Sequence, residues 1–364
     1  MSVRIATFNA ENLFRRPAAF GIENDTKRKD VLDAFRKLVG ILDHVEYTDL
    51  DKADIVAILQ AHGAGSEDKK TTKTIVLNEP RGGAKLLKTE SGKLQVKAKG
   101  RLDWVGWAEL ARDDLTWAAT KSVAKVIAAV DADVLLVVEI EDRITLDRFN
   151  TQVLQGELGA RPYRYNLLID GNDSRGIDVG ILSRRPVVSL RSHFSDTKDS
   201  RVVFSRDCPE FEVDLGRGEP LWLLGNHFKS KIGGGFDQRL RQAERVAALY
   251  RAALERSARV VVAGDLNDGF ESPPLSLLLA TGLRDAMTHP SYRGGIGTHV
   301  HDGRLTDKFD YLMFSPELWD TVHSVGLERR GIFPALPGVT PFEGVKDKST
   351  QASDHAALFA DLDL

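Results

Sequence analysis

Residues 260–267 read Val-Val-Val-Ala-Gly-Asp-Leu-Asn: four apolar residues, a glycine, then a carboxylate and an amide two positions apart. An apolar run of that length closing in polar side chains is the pattern of a buried strand whose end reaches a rim. The pattern recurs along the chain. Residues 3–8 lead to Asn9, 134–138 to Glu139, and 221–224 to Gly225, Asn226 and His227. Residues 177–182, 309–314 and 356–362 are further runs of strand length, with Asp354-His355 opening the last.

Between the strands, residues 116–130 place Val123, Val126, Ile127 and Val130 at helical spacing. Residues 236–256 do the same with Leu240, Ala243, Ala247, Tyr250 and Leu254, while Arg239, Arg241, Glu244, Arg245 and Arg251 point elsewhere. A shorter helix is expected over 274–281, with Ser272 as its cap and proline in the first turn. Strands mixed with helices in this order predict a layered α/β or α+β sandwich rather than a regular βαβ winding.

The chain of 364 residues, 42% hydrophobic and 28% charged, is long enough to bury about three-quarters of its unfolded surface. Lys and Arg number 50 against 53 Asp and Glu, a net charge of -3, so no global basic field advertises a polyanion partner. Cys208 stands alone, which excludes an intrachain disulfide and a Cys-pair zinc motif and is expected to be inert. Neither a signal peptide nor a membrane span is visible, and the expected location is cytoplasmic.

Residues 1–364 are read as one domain carrying an insertion at about 46–112, where apolar periodicity weakens. Within it, 81–101 holds seven basic residues against one acidic and reads as a hairpin turning at Ser91-Gly92. Two readings stand: a solvated ribbon whose lysines block edge pairing, or a contact for substrate phosphates. Trp104, Trp107 and Trp117 are expected to be packing anchors of the insertion.

Side chains at the ends of neighbouring strands can converge on one rim, and here they are carboxylates, amides and two imidazoles with no thiol. Such a set suits a hard cation, Mg²⁺ or Mn²⁺, better than zinc. Taken in order, the blocks Thr7-Phe8-Asn9, Glu139-Ile140-Glu141, Gly225-Asn226-His227-Phe228-Lys229-Ser230, Gly264-Asp265-Leu266-Asn267, Phe309-Asp310-Tyr311 and Ser353-Asp354-His355 resemble the endonuclease/exonuclease/phosphatase family with the deoxyribonuclease I-like fold. The resemblance implies a four-layered α/β/β/α sandwich of two mixed sheets and divalent-metal hydrolysis of phosphate esters. Glu139 resembles the principal metal ligand, with Asn9 and Asp354 near the same ion. Asp265 resembles the carboxylate that orients or deprotonates water, with Asn267 positioning phosphate or metal. His355 resembles the imidazole facing the scissile phosphate, supported by Asp310, and His227 resembles the other phosphate-facing imidazole.

Alternatives stay open at several positions. Glu141 is a substitute for Glu139, and Glu11 is read as an outer or surface residue. Arg175 is a phosphate fork or a loop-stabilising ion pair, and Asn226 and Lys229 are candidate phosphate contacts. His299 and His301 lack a third nearby ligand and are read as the loop before the Asp310 strand. For substrate, the blocks are most similar to bacterial nuclease-type members, giving a DNA nuclease of endo- or exonucleolytic mode. The alternatives are a phosphatase or phosphodiesterase acting on a small or lipid phosphate, and a catalytically silent binding protein.

Overall fold

The structure, a computed structural model, describes residues 2–13, 19, 25–62, 74–111, 118–173, 175–231 and 234–364. It divides into two compact units, Met1–Phe14 with Leu115–Leu364, and Arg15–Asp114.

The first unit is built on two six-stranded mixed sheets. One runs in the order Val322–Glu328, Ala357–Asp363, Ser2–Leu13, Val134–Ile140, Asp178–Ser183, Tyr165–Leu168. The other runs Arg284–Asp285, Asp310–Phe314, Val260–Asp265, Leu221–His227, Glu210–Val213, Val187–Arg191. Only the central pairs, Ser2–Leu13 with Val134–Ile140 and Leu221–His227 with Val260–Asp265, are parallel. Side chains alternate between two buried faces, which is why the strands read as continuous apolar runs. Val134, Leu136 and Val138 join Leu221, Leu223, Val261 and Ala263 in the core between the sheets. Leu135 and Val137 pack outward with Val123, Val126 and Ile127 of helix Ala118–Val130. Trp222, Leu224, Val260 and Val262 pack outward with Ala243, Val246 and Tyr250 of helix Phe236–Leu254. The result is four layers, helix, sheet, sheet, helix.

The strands extend beyond the apolar runs: Asn9, Glu139, Asn226, His227 and Asp265 lie inside strands instead of just after them. The short helix spans Pro273–Leu279, but Ser272 makes no side-chain capping bond. Arg239, read as pointing away from the apolar face, is buried with its Nε 2.9 Å from Asp268 Oδ2.

The second unit begins upstream of Glu46 and has its own core. Helices Asp25–Leu42 and Asp49–Ala61, the latter started by a Thr48–Asp51 capping box, pack Leu38, Ile55 and Leu59 with Ile75, Leu86 and Trp104. Leu87–Glu90 and Lys93–Val96 pair across Ser91-Gly92, both at positive φ. Trp104 is 3% exposed and donates to the Tyr47 hydroxyl at 2.8 Å, whereas Trp107, expected to pack, is 54% exposed because it lies on the outer side of strand Trp107–Leu110. Trp117 lies outside the described residues.

Candidate active site

Strand register assembles the site. In the second sheet His227 pairs with Asp265 and Asp265 with Asp310, so three polar side chains stand in one row across three strands. In the first sheet Asn9 lies opposite Val138, and the register slips directly after. Glu139 is the extra residue of that bulge: Val138 faces the core between the sheets and Ile140 the helix layer, and Glu139 takes a φ of 65°. A left-handed backbone at a residue with a Cβ costs on the order of 1–3 kcal/mol, and such strain collects at functional sites. Glu11 and Asn267, at φ 47° and 50°, share it.

The two sheets are tied at the rim by Asn9, whose Nδ2 donates to Asp265 Oδ2 at 3.1 Å and to Glu139 Oε1 at 3.4 Å. Asp265 Oδ1 accepts the Asn267 N–H at 2.8 Å, and the Asn267 side chain donates to the Phe228 carbonyl at 3.1 Å. Gly264 makes this approach possible, because a Cβ there would come within 1.9 Å of the Asn226 carbonyl oxygen. His227 Nε2 lies 3.7 Å from Asp265 and 3.9 Å from Glu139.

His355 comes from the segment entering the last strand. Its Nδ1 is 2.7 Å from the fully buried Asp310 carboxylate, which fixes the ring, and its Nε2 faces Asp354 at 3.7 Å and Asp265 at 3.9 Å. Thr298 Oγ1 accepts the N–H groups of both Phe309 and Asp310 at 3.0 Å. Glu11 Oε2 accepts the Asp354 N–H at 3.1 Å and the Gln351 amide at 2.7 Å, so Glu11 holds the Asp354 segment. Glu141 is engaged by the Thr145 hydroxyl at 3.3 Å.

Burial and mutual repulsion set the charges. Asp265 is pushed up to about 7 by burial, with Asp310 and Glu139 adding to the rise against His355. Glu139 is raised by burial, against His355 and the Asn9 hydrogen bond. Burial opposes the charged form of His355, yet Asp310, Asp265 and Asp354 raise it to about 10. His227 goes the other way, held well below its ordinary value by burial, Arg206 and His355.

The phosphate candidates have partners of their own. Asn226 is buried, its amide nitrogen donating to the Leu224 and Ala263 carbonyls, which leaves its unpartnered acceptor oxygen and no free donor for an anion. Arg175 is forked onto Asp173 at 3.0 and 3.1 Å. Lys229 contributes its main chain to Gln242 and Arg239.

Two residues were missed. Arg206, 2% exposed, lies 2.9 Å from Asp173 and donates to the Phe228 carbonyl at 3.0 Å; one arginine among many carries no sequence signal of burial. His299, read as loop, lies in a short hairpin, His299–His301 with Arg304–Asp307, that bonds to the Asp354 segment. Val300 N–H donates to the Asp354 carbonyl at 2.9 Å and Ala356 N–H to the Thr298 carbonyl at 2.7 Å. His301 points to solvent. Beside the rim, a hollow of about 500 Å³ is lined by Phe270, Met287, Ile296, Phe309, Lys231 and Lys308. Cys208 is buried and its thiol is pushed well up by burial.

A face-to-face pair of mixed sheets flanked by helices, with polar residues from both sheets meeting at one rim, is the deoxyribonuclease I-like architecture. The model of the endonuclease/exonuclease/phosphatase family matches residues 113–355, and the chain belongs to that family. Similar solved structures include an endonuclease/exonuclease/phosphatase from Bacteroides vulgatus, 16% identical over 68% of this chain and 90% of that one, with a TM-score of 0.50. A mannosyl-6-phosphatase from Bacteroides thetaiotaomicron is 13% identical over 68% of this chain and 91% of that one, also at 0.50. TDP2 from Caenorhabditis elegans is 21% identical over 68% and 90%, at 0.48. At these identities the likeness is one of fold. No curated protein matches the chain. Among the described residues no helix is long and apolar enough to cross a membrane.

Proposed function

We propose that the chain is a divalent-metal-dependent phosphodiester hydrolase acting on nucleic acid, DNA first. The observation that carries this is the row His227, Asp265, Asp310 facing Asn9 and Glu139, with His355 closing it. The donor set fits a hard cation. Asp265 is a buried and Glu139 a partly buried carboxylate, each with its charged form disfavoured by desolvation, and Asp310 keeps one buried oxygen without a partner. Glu139, Asn9 and Asp354 are the residues assigned to hold Mg²⁺ or Mn²⁺. When bound, the cation supplies charge neutralisation at the phosphate.

The chain's own residues do the rest. Asp265, titrating near neutrality, orients the attacking water and takes its proton. His355, kept as an imidazolium by Asp310, donates to a phosphate oxygen as negative charge develops there. His227, held neutral, offers Nε2 beside Asp265 and Glu139. Asn267 fixes the Asp265 carboxylate through its backbone N–H. The composition of residues 81–101, seven basic against one acidic, is the sequence feature that supports a polyanionic substrate. The hollow lined by Phe270, Phe309 and Lys231 favours a second reading, a phosphatase or phosphodiesterase on a compact ester, because about 500 Å³ is the size of a small-molecule pocket.

The test is a substrate panel with Mg²⁺ and Mn²⁺: plasmid, linear duplex, single-stranded DNA, RNA, a small phosphodiester and a phosphomonoester. Cleavage of DNA, lost by at least about 100-fold in Glu139→Gln, Asp265→Asn and His355→Ala, is expected. Turnover of the small esters alone would replace the nuclease reading with the second one, and full activity in all three variants would overturn the site.

A further inference from the structure

His299 has no place in the roles assigned above, yet its surroundings are those of a metal ligand. Its ring stacks on Phe309 with centroids 5.0 Å apart and lies 4.7 Å from the His355 ring. Its side chain is 19% exposed, so the rotamer is held by packing. Nε2 lies 3.5 Å from Asp354 Oδ2, and Nδ1 lies 3.6 Å from Asp307 Oδ2. These are ion-pair separations, too long for hydrogen bonds, and Nδ1 is buried without a hydrogen-bond partner. Two donors each about 2.2 Å from one cation stand roughly 3.1 to 3.6 Å apart at bond angles between 90° and 110°. The Nε2–Asp354 spacing falls inside that range. His299 and Asp354 each present a ligand atom within 4.8 Å of the other, with His355, the imidazolium donor, beside them. A metal-bound imidazole usually donates its other ring N–H to a carboxylate, and the Asp307 carboxylate stands on that side of His299, roughly 0.6–0.7 Å beyond the usual hydrogen-bond length of about 2.9–3.0 Å.

We propose that His299 is a ligand of the cation held by Asp354, donating through Nε2 with Asp307 orienting the ring from behind. The inference rests on the metal-site reading above and deepens it. An imidazole in an otherwise oxygen-rich set favours transition cations over Mg²⁺, which accepts oxygen almost exclusively. The hairpin that carries His299 is thereby part of the metal centre, with the main-chain bonds to Asp354 and Ala356 holding the two ligands in register.

The experiment is direct Mn²⁺ binding to the full chain, followed by electron paramagnetic resonance of free ion, with Mg²⁺ affinity obtained by competition. His299→Phe keeps the stacking on Phe309 and removes the nitrogen. It is expected to weaken Mn²⁺ by about 10- to 100-fold while Mg²⁺ changes less than about threefold, and Asp307→Asn to weaken Mn²⁺ by about 10-fold. Pulsed measurements on the Mn²⁺ protein should show ¹⁴N modulation that His299→Phe abolishes. Equal Mn²⁺ affinity in wild type and His299→Phe, or ¹⁴N modulation that persists, overturns the His299 assignment while a loss in Glu139→Gln leaves the metal site standing. Absence of Mn²⁺ and Mg²⁺ binding in the wild type, or binding indifferent to Glu139→Gln, overturns the underlying metal-site reading instead.

Discussion

Breaking the Lys308–Asp285 pair should cost the first unit several kcal/mol. Lys308 Nζ lies 3.1 Å from Asp285 Oδ2, with 5% and 1% of the side chains exposed. The same ammonium donates to the Asp310 carbonyl at 3.2 Å and sits 4.1 Å from the centroid of the Tyr311 ring. At an effective dielectric of about 20 the attraction over that distance is about 5 kcal/mol, and removing one partner of a buried pair typically costs about 3–5 kcal/mol. Lys308→Met strands a buried carboxylate and Asp285→Leu strands a buried ammonium. Each should therefore lose about 3–5 kcal/mol, or roughly 10 °C in melting temperature for a unit of this size. The double variant removes both charges and should recover most of the loss, giving a coupling energy above about 2 kcal/mol. Urea unfolding of the four proteins at pH 7 measures it. A double variant that loses the sum of the two single losses, or a neutral Lys308→Met, would refute the reasoning.

Three further outcomes follow from named residues. Asp178, nearly inaccessible, is raised by burial from 3.8 to about 6, against the hydrogen bond from Gly171. Its ionisation thus opposes folding: the penalty is absent below about pH 4, grows through the interval and levels off above pH 6 at about 3 kcal/mol. Asp178→Asn, which still accepts the Gly171 N–H, should be more stable than wild type at pH 7.5 and no more stable at pH 4, by urea titration at each pH. Gly264→Ala places a methyl 1.9 Å from the Asn226 carbonyl at a φ of 127°, so it should lower stability by more than about 3 kcal/mol and disable hydrolysis together, followed by thermal melting and turnover. Trp104→Ala should cost about 3–5 kcal/mol, whereas the half-exposed Trp107→Ala should cost less than about 1.5 kcal/mol; comparable losses would contradict the packing of the second unit.

The strands were legible because both faces are buried, which writes the sheet into the chain as runs such as Val-Val-Val-Ala at 260–263 and Val-Leu-Leu-Val-Val at 134–138. Edge strands such as Val187–Arg191, half solvated, carry no such run and were not anticipated. Helices Asp25–Leu42 and Asp49–Ala61 went unread because they pack on a small core of their own, and few of their side chains are fully buried. At the site, Asn9, Glu139, His227, Asp265 and His355 stood out as polar residues at strand ends, Asp310 came with the resemblance to the family, and the structure gathers all six. For Arg175 the loop-stabilising ion pair, one of its two readings, is what the fold shows, with Asp173 as partner, whereas Asn226 and Arg206 were out of reach, since whether such a group is free, paired or buried depends on residues far away in the chain.

Sequence alone determined the strand cores, the long helices flanking the sheets and the identity of the polar residues at strand ends, because these follow from periodicity and residue type along a continuous segment. Tertiary structure decided the rest. The bulge that turns Glu139 at φ 65°, the register that aligns His227, Asp265 and Asp310, the burial that raises Asp265 and the placement of His299 beside Asp354 all arise between segments remote in the chain. Pairing register and desolvation are properties of neighbours in space, and no local pattern records them.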